Sequence, residues 1–116
     1  MKHFSLSEFA CPDCGRVDMD SDFLEMLDKA RDIAGIPFVI TSGFRCPEHN
    51  KKVGGRPNSA HLRGLAADIR VRGNKQRFII LDALIKVGFK RIGVANDFIH
   101  VDCDLTKPYP RVWLYL

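Results

Sequence analysis

The run Ser59-Ala60-His61-Leu62-Arg63-Gly64-Leu65-Ala66-Ala67-Asp68 sets an imidazole and a carboxylate seven residues apart. About thirty residues on, Asp97-Phe98-Ile99-His100-Val101-Asp102 adds a second imidazole between two further carboxylates, in a chain with only four histidines. Zinc in a hydrolytic site takes three protein ligands of these kinds and keeps one position open. His61, Asp68 and His100 could supply the three, leaving Asp97 or Asp102 to handle a proton. Arg45 is the candidate to hold a substrate carboxylate or polarise a scissile carbonyl. Each of these residues has a plainer reading. A histidine on a strand is commonly a satisfied structural residue, an aspartate is commonly solvated, and an arginine at a strand end is commonly a surface ion-pair partner. The spacing HxxGxxxD is not specific by itself. His3 and His49 lie outside the two runs, and His49, in a polar helical stretch, reads as a surface residue.

The pattern of apolar residues indicates what must position these groups. A short helical turn is expected from Ser5 to Phe9, capped by Ser5 or Ser7. An amphipathic helix is expected from Asp20 or Ser21, with Phe23, Leu27, Ala30 and Ala34 on one face and Gly35 and Pro37 ending it. Phe38–Thr41 reads as a β-branched strand running into a turn at Ser42-Gly43-Phe44-Arg45. Pro47–Val53 reads as a short helix with proline in its first turn, and Gly54–Ser59 as a loop. From Leu65 to Val71 the pattern has period two: Leu65, Ala67, Ile69 and Val71 share one face, and Ala66, Asp68 and Arg70 the other. A second main helix is expected over Asn74–Val87, with a broad stripe of Phe78, Leu81 and Ile85 beside Ile79 and Leu84, closed by Gly88. Arg91–Val94 and Phe98–Cys103 read as strands about a turn at Ala95–Asp97. In the second, Phe98, His100 and Asp102 share a face. Arg111–Leu116 is a candidate edge strand. This order of elements implies an α+β domain with a small, mostly antiparallel sheet.

The 116 residues form one domain (1–116), 46% hydrophobic and 28% charged, with a formal charge of +4. So mild an excess suits an anionic partner without choosing one. The basic residues are scattered and form no aromatic-basic platform, which argues against nucleic acid as the partner. No signal peptide and no membrane-spanning stretch is legible, so synthesis in the cytosol without integral membrane contact is expected. Cysteines stand at 11, 14, 46 and 103. Cys11-Pro12-Asp13-Cys14 is a lone CxxC, open to a structural zinc with the other cysteines, to a disulfide, or to plain reduced thiols, the last suiting a cytosolic product. Redox catalysis is disfavoured, because the CxxC does not join a strand to a helix in a βαβ unit.

Taken together, Ser42-Gly43-Phe44-Arg45, His49-Asn50, Val53-Gly54-Gly55, Asn58-Ser59-Ala60-His61, Gly64-Leu65-Ala66-Ala67-Asp68-Ile69 and Phe98-Ile99-His100-Val101-Asp102 resemble the M15 zinc peptidases. These are the D-alanyl-D-alanine carboxypeptidases and L-alanyl-D-glutamate endopeptidases of bacteria and phages. The resemblance runs from about Phe4 to Asp102. It implies a Hedgehog/DD-peptidase-like fold, with helices on one side of a small antiparallel sheet and the metal on the other. It implies one catalytic zinc held by His61, Asp68 and His100, and Asp97 as general base, with Asp102 as the fallback. It also implies Arg45 as a substrate-orienting catalytic residue and Ser59 close to the metal. The implied substrate is the peptidoglycan stem peptide, and the implied protein a monomer. If phage-derived, it would reach the wall after release through a membrane pore. A non-catalytic zinc-stabilised module binding wall fragments or a protein is the alternative, against which the acidic residue at 97 argues.

Overall fold

The computed structural model describes residues 1–115. Three helices, α1 (Ser21–Ala34), α2 (Pro47–Lys52) and α3 (Gly73–Lys86), accompany five strands, β1 (Ile40–Ser42), β2 (Ala66–Arg70), β3 (Arg91–Val94), β4 (Phe98–Asp102) and β5 (Arg111–Leu114). The strands form one sheet in the order β1-β2-β4-β3-β5. The first three pairings are antiparallel, but β5 runs parallel to β3, so the sheet is mixed. The chain reaches β5 after β4 and must cross back over β3, a return that alternation within a strand does not encode. Of the expected tail strand, Leu116 lies outside the described residues.

Period two divides the sheet as expected. Ala67, Ile69 and Val71 join Ile99, Val101 and Ile92 in one apolar cluster with Phe23, Leu27 and Ala30 of α1 and Ile80, Ala83 and Leu84 of α3. Burying these side chains removes apolar surface from water at roughly 25 cal/mol per Å² and fixes the sheet against the two long helices. On the opposite face lie Asp68 and His100, directly paired across β2 and β4. The helices α1 and α3 pack on the apolar face, joined there by Phe4, Phe9 and Phe38.

Local chemistry explains the ends of the elements. Asp20 caps α1, its carboxylate accepting from the Phe23 N–H at 2.9 Å, and Gly35 closes it in the left-handed region. Glu8 reaches back to the Ser5 N–H at 2.7 Å, so Ser5 rather than Ser7 starts the first 3₁₀ turn, Leu6–Phe9. Two expectations are corrected. The strand expected at Phe38–Thr41 is Ile40–Ser42, because Phe38 is drawn into the core against Phe4 and a bulge interrupts the pairing at β1. In α3, Phe78 and Ile85 are 70% and 54% exposed, while Ile80, Ala83 and Leu84 are buried. The run Phe78-Ile79-Ile80-Leu81 is apolar on every side of the helix, so periodicity could not choose the inward face. Among the described residues no helix is long and apolar enough to cross a membrane.

Candidate metal centre

His61 sits in a 3₁₀ turn, Ala60–Arg63, that feeds β2 through Gly64. Gly64 has φ +67°, and a Cβ there would run into the Asp18 carbonyl. This glycine turns the chain so that His61 and Asp68 face one point, as its position between them suggested. The Ser59 hydroxyl caps the turn by accepting from the His61 N–H at 3.3 Å.

His61, Asp68 and His100 offer ligand atoms that all lie within 4.8 Å of one another. The Asp68 Oδ1 lies 3.3 Å from His61 Nε2 and 2.9 Å from His100 Nδ1. The remaining nitrogen of each ring is committed elsewhere. His61 Nδ1 is 2.8 Å from the Gly43 carbonyl, so it carries the proton and donates, leaving Nε2 with its lone pair. His100 Nε2 is 2.7 Å from Asp102 Oδ2, which leaves Nδ1 as the free donor atom. Two imidazoles and a carboxylate presented in this way fit a zinc ion, which would take the place of a proton on His100, each ring backed by an oxygen that fixes its orientation.

The surroundings hold the carboxylates ionised. Burial alone would raise the Asp68 pKa, but hydrogen bonds from His100 and His61 outweigh it and hold the group well below the usual range. Burial would likewise raise Asp102, and its contacts with His100, the Asp104 N–H and Arg91 bring it down instead. For His100, burial favours the neutral ring, and the two aspartates more than offset it. Arg91 Nε lies 2.8 Å from Asp102 Oδ1, completing a chain from arginine to aspartate to imidazole.

These groups form the floor of a cleft of about 700 Å³. Arg45, Ser59, His61, Asp68 and His100, all expected at the site, line it together. The Arg45 guanidinium is largely buried and spans Asp68 Oδ2 at 3.4 Å, the Ser42 hydroxyl at 3.0 Å and Asn50 Oδ1 at 3.3 Å. In this structure it therefore steadies the Asp68 carboxylate. Asp97 is not brought in with the others. It is exposed in the turn before β4, outside the residues lining the cleft, and its carbonyl accepts from the Val71 N–H at 2.8 Å.

Sequence reasoning missed one wall. Trp113 and Tyr115, at the end of the chain, line the cleft, with the Trp113 ring 5.6 Å from that of His100 and 4.8 Å from the Arg91 guanidinium. Gly93 makes room for them, since a Cβ there would stand 2.6 Å from both side chains. The available signal was period two in the tail, which places Trp113 and Tyr115 on one face with Arg111. Arg91 and Lys107 were also missed. Lys107 pairs with the fully buried Asp104 at 2.7 Å.

Compared with known protein families, residues 2–102 match the family described as Peptidase M15. No curated protein sequence matches the chain.

Proposed function

The chain belongs to the peptidase M15 family, and on that premise we propose that it is a zinc-dependent peptidase that hydrolyses a peptide bond of the peptidoglycan stem. The observation that carries this reading is the convergence of His61 Nε2, Asp68 Oδ1 and His100 Nδ1 on a cleft floor, with each ring's other nitrogen already occupied. The sheet with α1 and α3 on its apolar face and the ligands on the other also suits the Hedgehog/DD-peptidase-like fold that the resemblance implies.

A bound zinc supplies a Lewis acid for the scissile carbonyl and lowers the pKa of the attacking water. The chain's residues supply the rest. Asp102 holds the His100 ring in the tautomer that frees Nδ1, and the Gly43 carbonyl does the same for His61. Arg45 presents positive charge beside Asp68, where an oxyanion or a substrate carboxylate would gain a partner. Trp113, Tyr115 and Phe98 offer apolar walls to the peptide, and the exposed Arg56 at the rim suits its carboxylates.

Asp97 takes the proton in this reading, on its position three residues before His100. From its exposed turn it must move over the cleft when substrate binds, and catalytic contacts often tighten only in the complex. The carboxylates that line the cleft, Asp68 and Asp102, are both already engaged.

The direct test is mass spectrometry of purified stem peptides after digestion by the zinc-loaded protein. New fragments that vanish with His61→Ala would name the bond. Intact peptides that bind without being cut would leave the binding-module alternative in its place.

A further inference from the structure

A second group of metal-ligating side chains lies apart from the cleft floor. Cys11, Cys14 and Cys46 place their sulfurs within 4.8 Å of one another. Cys11 and Cys46 are buried with sulfurs 3.5 Å apart, while Cys14 is exposed. The backbone around Cys11 is folded into a tight knuckle. The Gly15 N–H donates to the Cys11 carbonyl at 2.8 Å, and the Cys11 N–H donates to the Arg16 carbonyl at 2.9 Å. The Cys46 N–H points at the Cys11 sulfur at 3.5 Å, a contact that favours thiolate there.

The candidate for a fourth ligand is His49, one helical turn beyond Cys46, whose ring stands outside the 4.8 Å group of the three sulfurs. Its Nδ1 lies 3.1 Å from Asp13 Oδ2, and Asp13 stands between Cys11 and Cys14. The imidazole is thus already tethered to the knuckle, and that hydrogen bond leaves Nε2 as its donor atom. Its side chain is only 14% exposed, not the surface residue its polar helix suggested. In sequence the two pieces are Cys11-Pro12-Asp13-Cys14 and Cys46-Pro47-Glu48-His49, two pairs with the two-residue gap that zinc ligands use. The CxxC is therefore not alone: its partner is a CxxH.

We propose that Cys11, Cys14, Cys46 and His49 form a structural zinc site of the Cys₃His type, separate from the His61-Asp68-His100 centre. Four ligands close the coordination shell, so this metal has no open position and does no hydrolysis. Its role is to tie the loop before α1 to the start of α2. Arg45 lies between Phe44 and Cys46, and Asn50 of α2 bonds its guanidinium, so the tie also fixes the arginine beside Asp68. Binding releases thiol protons and needs no oxidant.

The test reads metal content and spectra, not peptide cleavage, so it stands whether or not the peptidase reading does. Protein prepared with zinc under reducing conditions should carry two zinc ions per chain, and His61→Ala should carry one. Cobalt exchanged into either protein should give thiolate-to-cobalt charge-transfer absorption. Cys14→Ser, chosen because Cys14 is exposed, should lose that absorption and retain the other metal. His49→Ala should keep a thiolate signal but bind at least about tenfold more weakly, since loss of a mere supporting partner already costs about 10- to 100-fold. One zinc per chain that disappears with His61→Ala, while the cobalt protein shows no thiolate band, would overturn the site. So would a native mass short by two hydrogens that maps to a Cys11–Cys46 disulfide. Unchanged affinity in His49→Ala would overturn the fourth ligand.

Discussion

Each imidazole of the cleft has one nitrogen bound to the protein and one turned to the Asp68 carboxylate, and this division of labour makes individual residues separable by experiment. Asp102 touches the side of His100 that faces away from Asp68, so its effect on a metal is indirect. Asp102→Asn should weaken zinc binding about 10- to 100-fold, read by competition with a chelator, because the ring loses its fixed tautomer while the ligands remain. A variant that binds zinc as the wild type does would show that the His100 ring needs no such support. Asp97 makes the opposite prediction. It is exposed and bonds no ligand, so Asp97→Asn should leave zinc content intact and lower kcat on stem peptide by about 10²–10⁴, the usual contribution of a general base. Full activity in that variant would pass the proton-accepting role to another group, Asp102 first.

At the scale of elements, the cleft depends on β5 as much as on the strands that carry the ligands. Because β5 pairs in parallel with β3, Trp113 lies opposite Gly93, one strand away from His100, and its ring crosses the space a side chain at 93 would fill. Trp113→Ala and Gly93→Val should therefore act alike, one by removing the wall and the other by pushing it out. Both should raise KM for stem peptide about tenfold, the value of an aromatic contact, with zinc content unchanged. A rise with Trp113→Ala alone would mean that β5 tolerates a side chain at 93. Here the limits of the sequence become physical. Period two within β2 and β4 placed Asp68 and His100 on one polar face, because each strand carries its own alternation. The pairing of β5 is a relation between segments, and its residues lie beyond the stretch that resembles the family. Nor could periodicity orient α3, whose apolar residues surround the helix. The CxxC was readable as a motif, but its CxxH partner needed the fold to bring α2 against the loop at residues 11–15.

For the molecule as a whole, the N-terminus and the loop after β4 are fastened by buried aspartates, and this ties global stability to pH. Asp28, buried in α1, accepts from the N–H groups of Lys2 and His3 at 3.0 and 2.8 Å and so fastens the N-terminus to the core. Asp104, fully buried after β4, accepts from Thr106 and pairs with Lys107 and with Arg63 at the end of the turn that carries His61. Burial would raise the Asp104 pKa, but Lys107 and Thr106 prevail and lower it to about 2. A carboxylate with a folded pKa below its unfolded one binds fewer protons when folded. Its stabilisation is complete above the unfolded value near 4 and is lost as pH falls toward 2. The size of the shift corresponds to on the order of 2 kcal/mol at neutral pH. Asp104→Asn should therefore be less stable than the wild type by about that amount in urea unfolding at pH 7, with circular dichroism as the probe. The difference should shrink steadily between pH 4 and pH 2, where the wild-type carboxylate also becomes neutral. Comparing the two proteins at each pH cancels losses common to both, including protonation of the metal-ligating groups. A gap that stays constant down to pH 2 would assign the effect of Asp104 to packing and hydrogen bonds, and not to its charge.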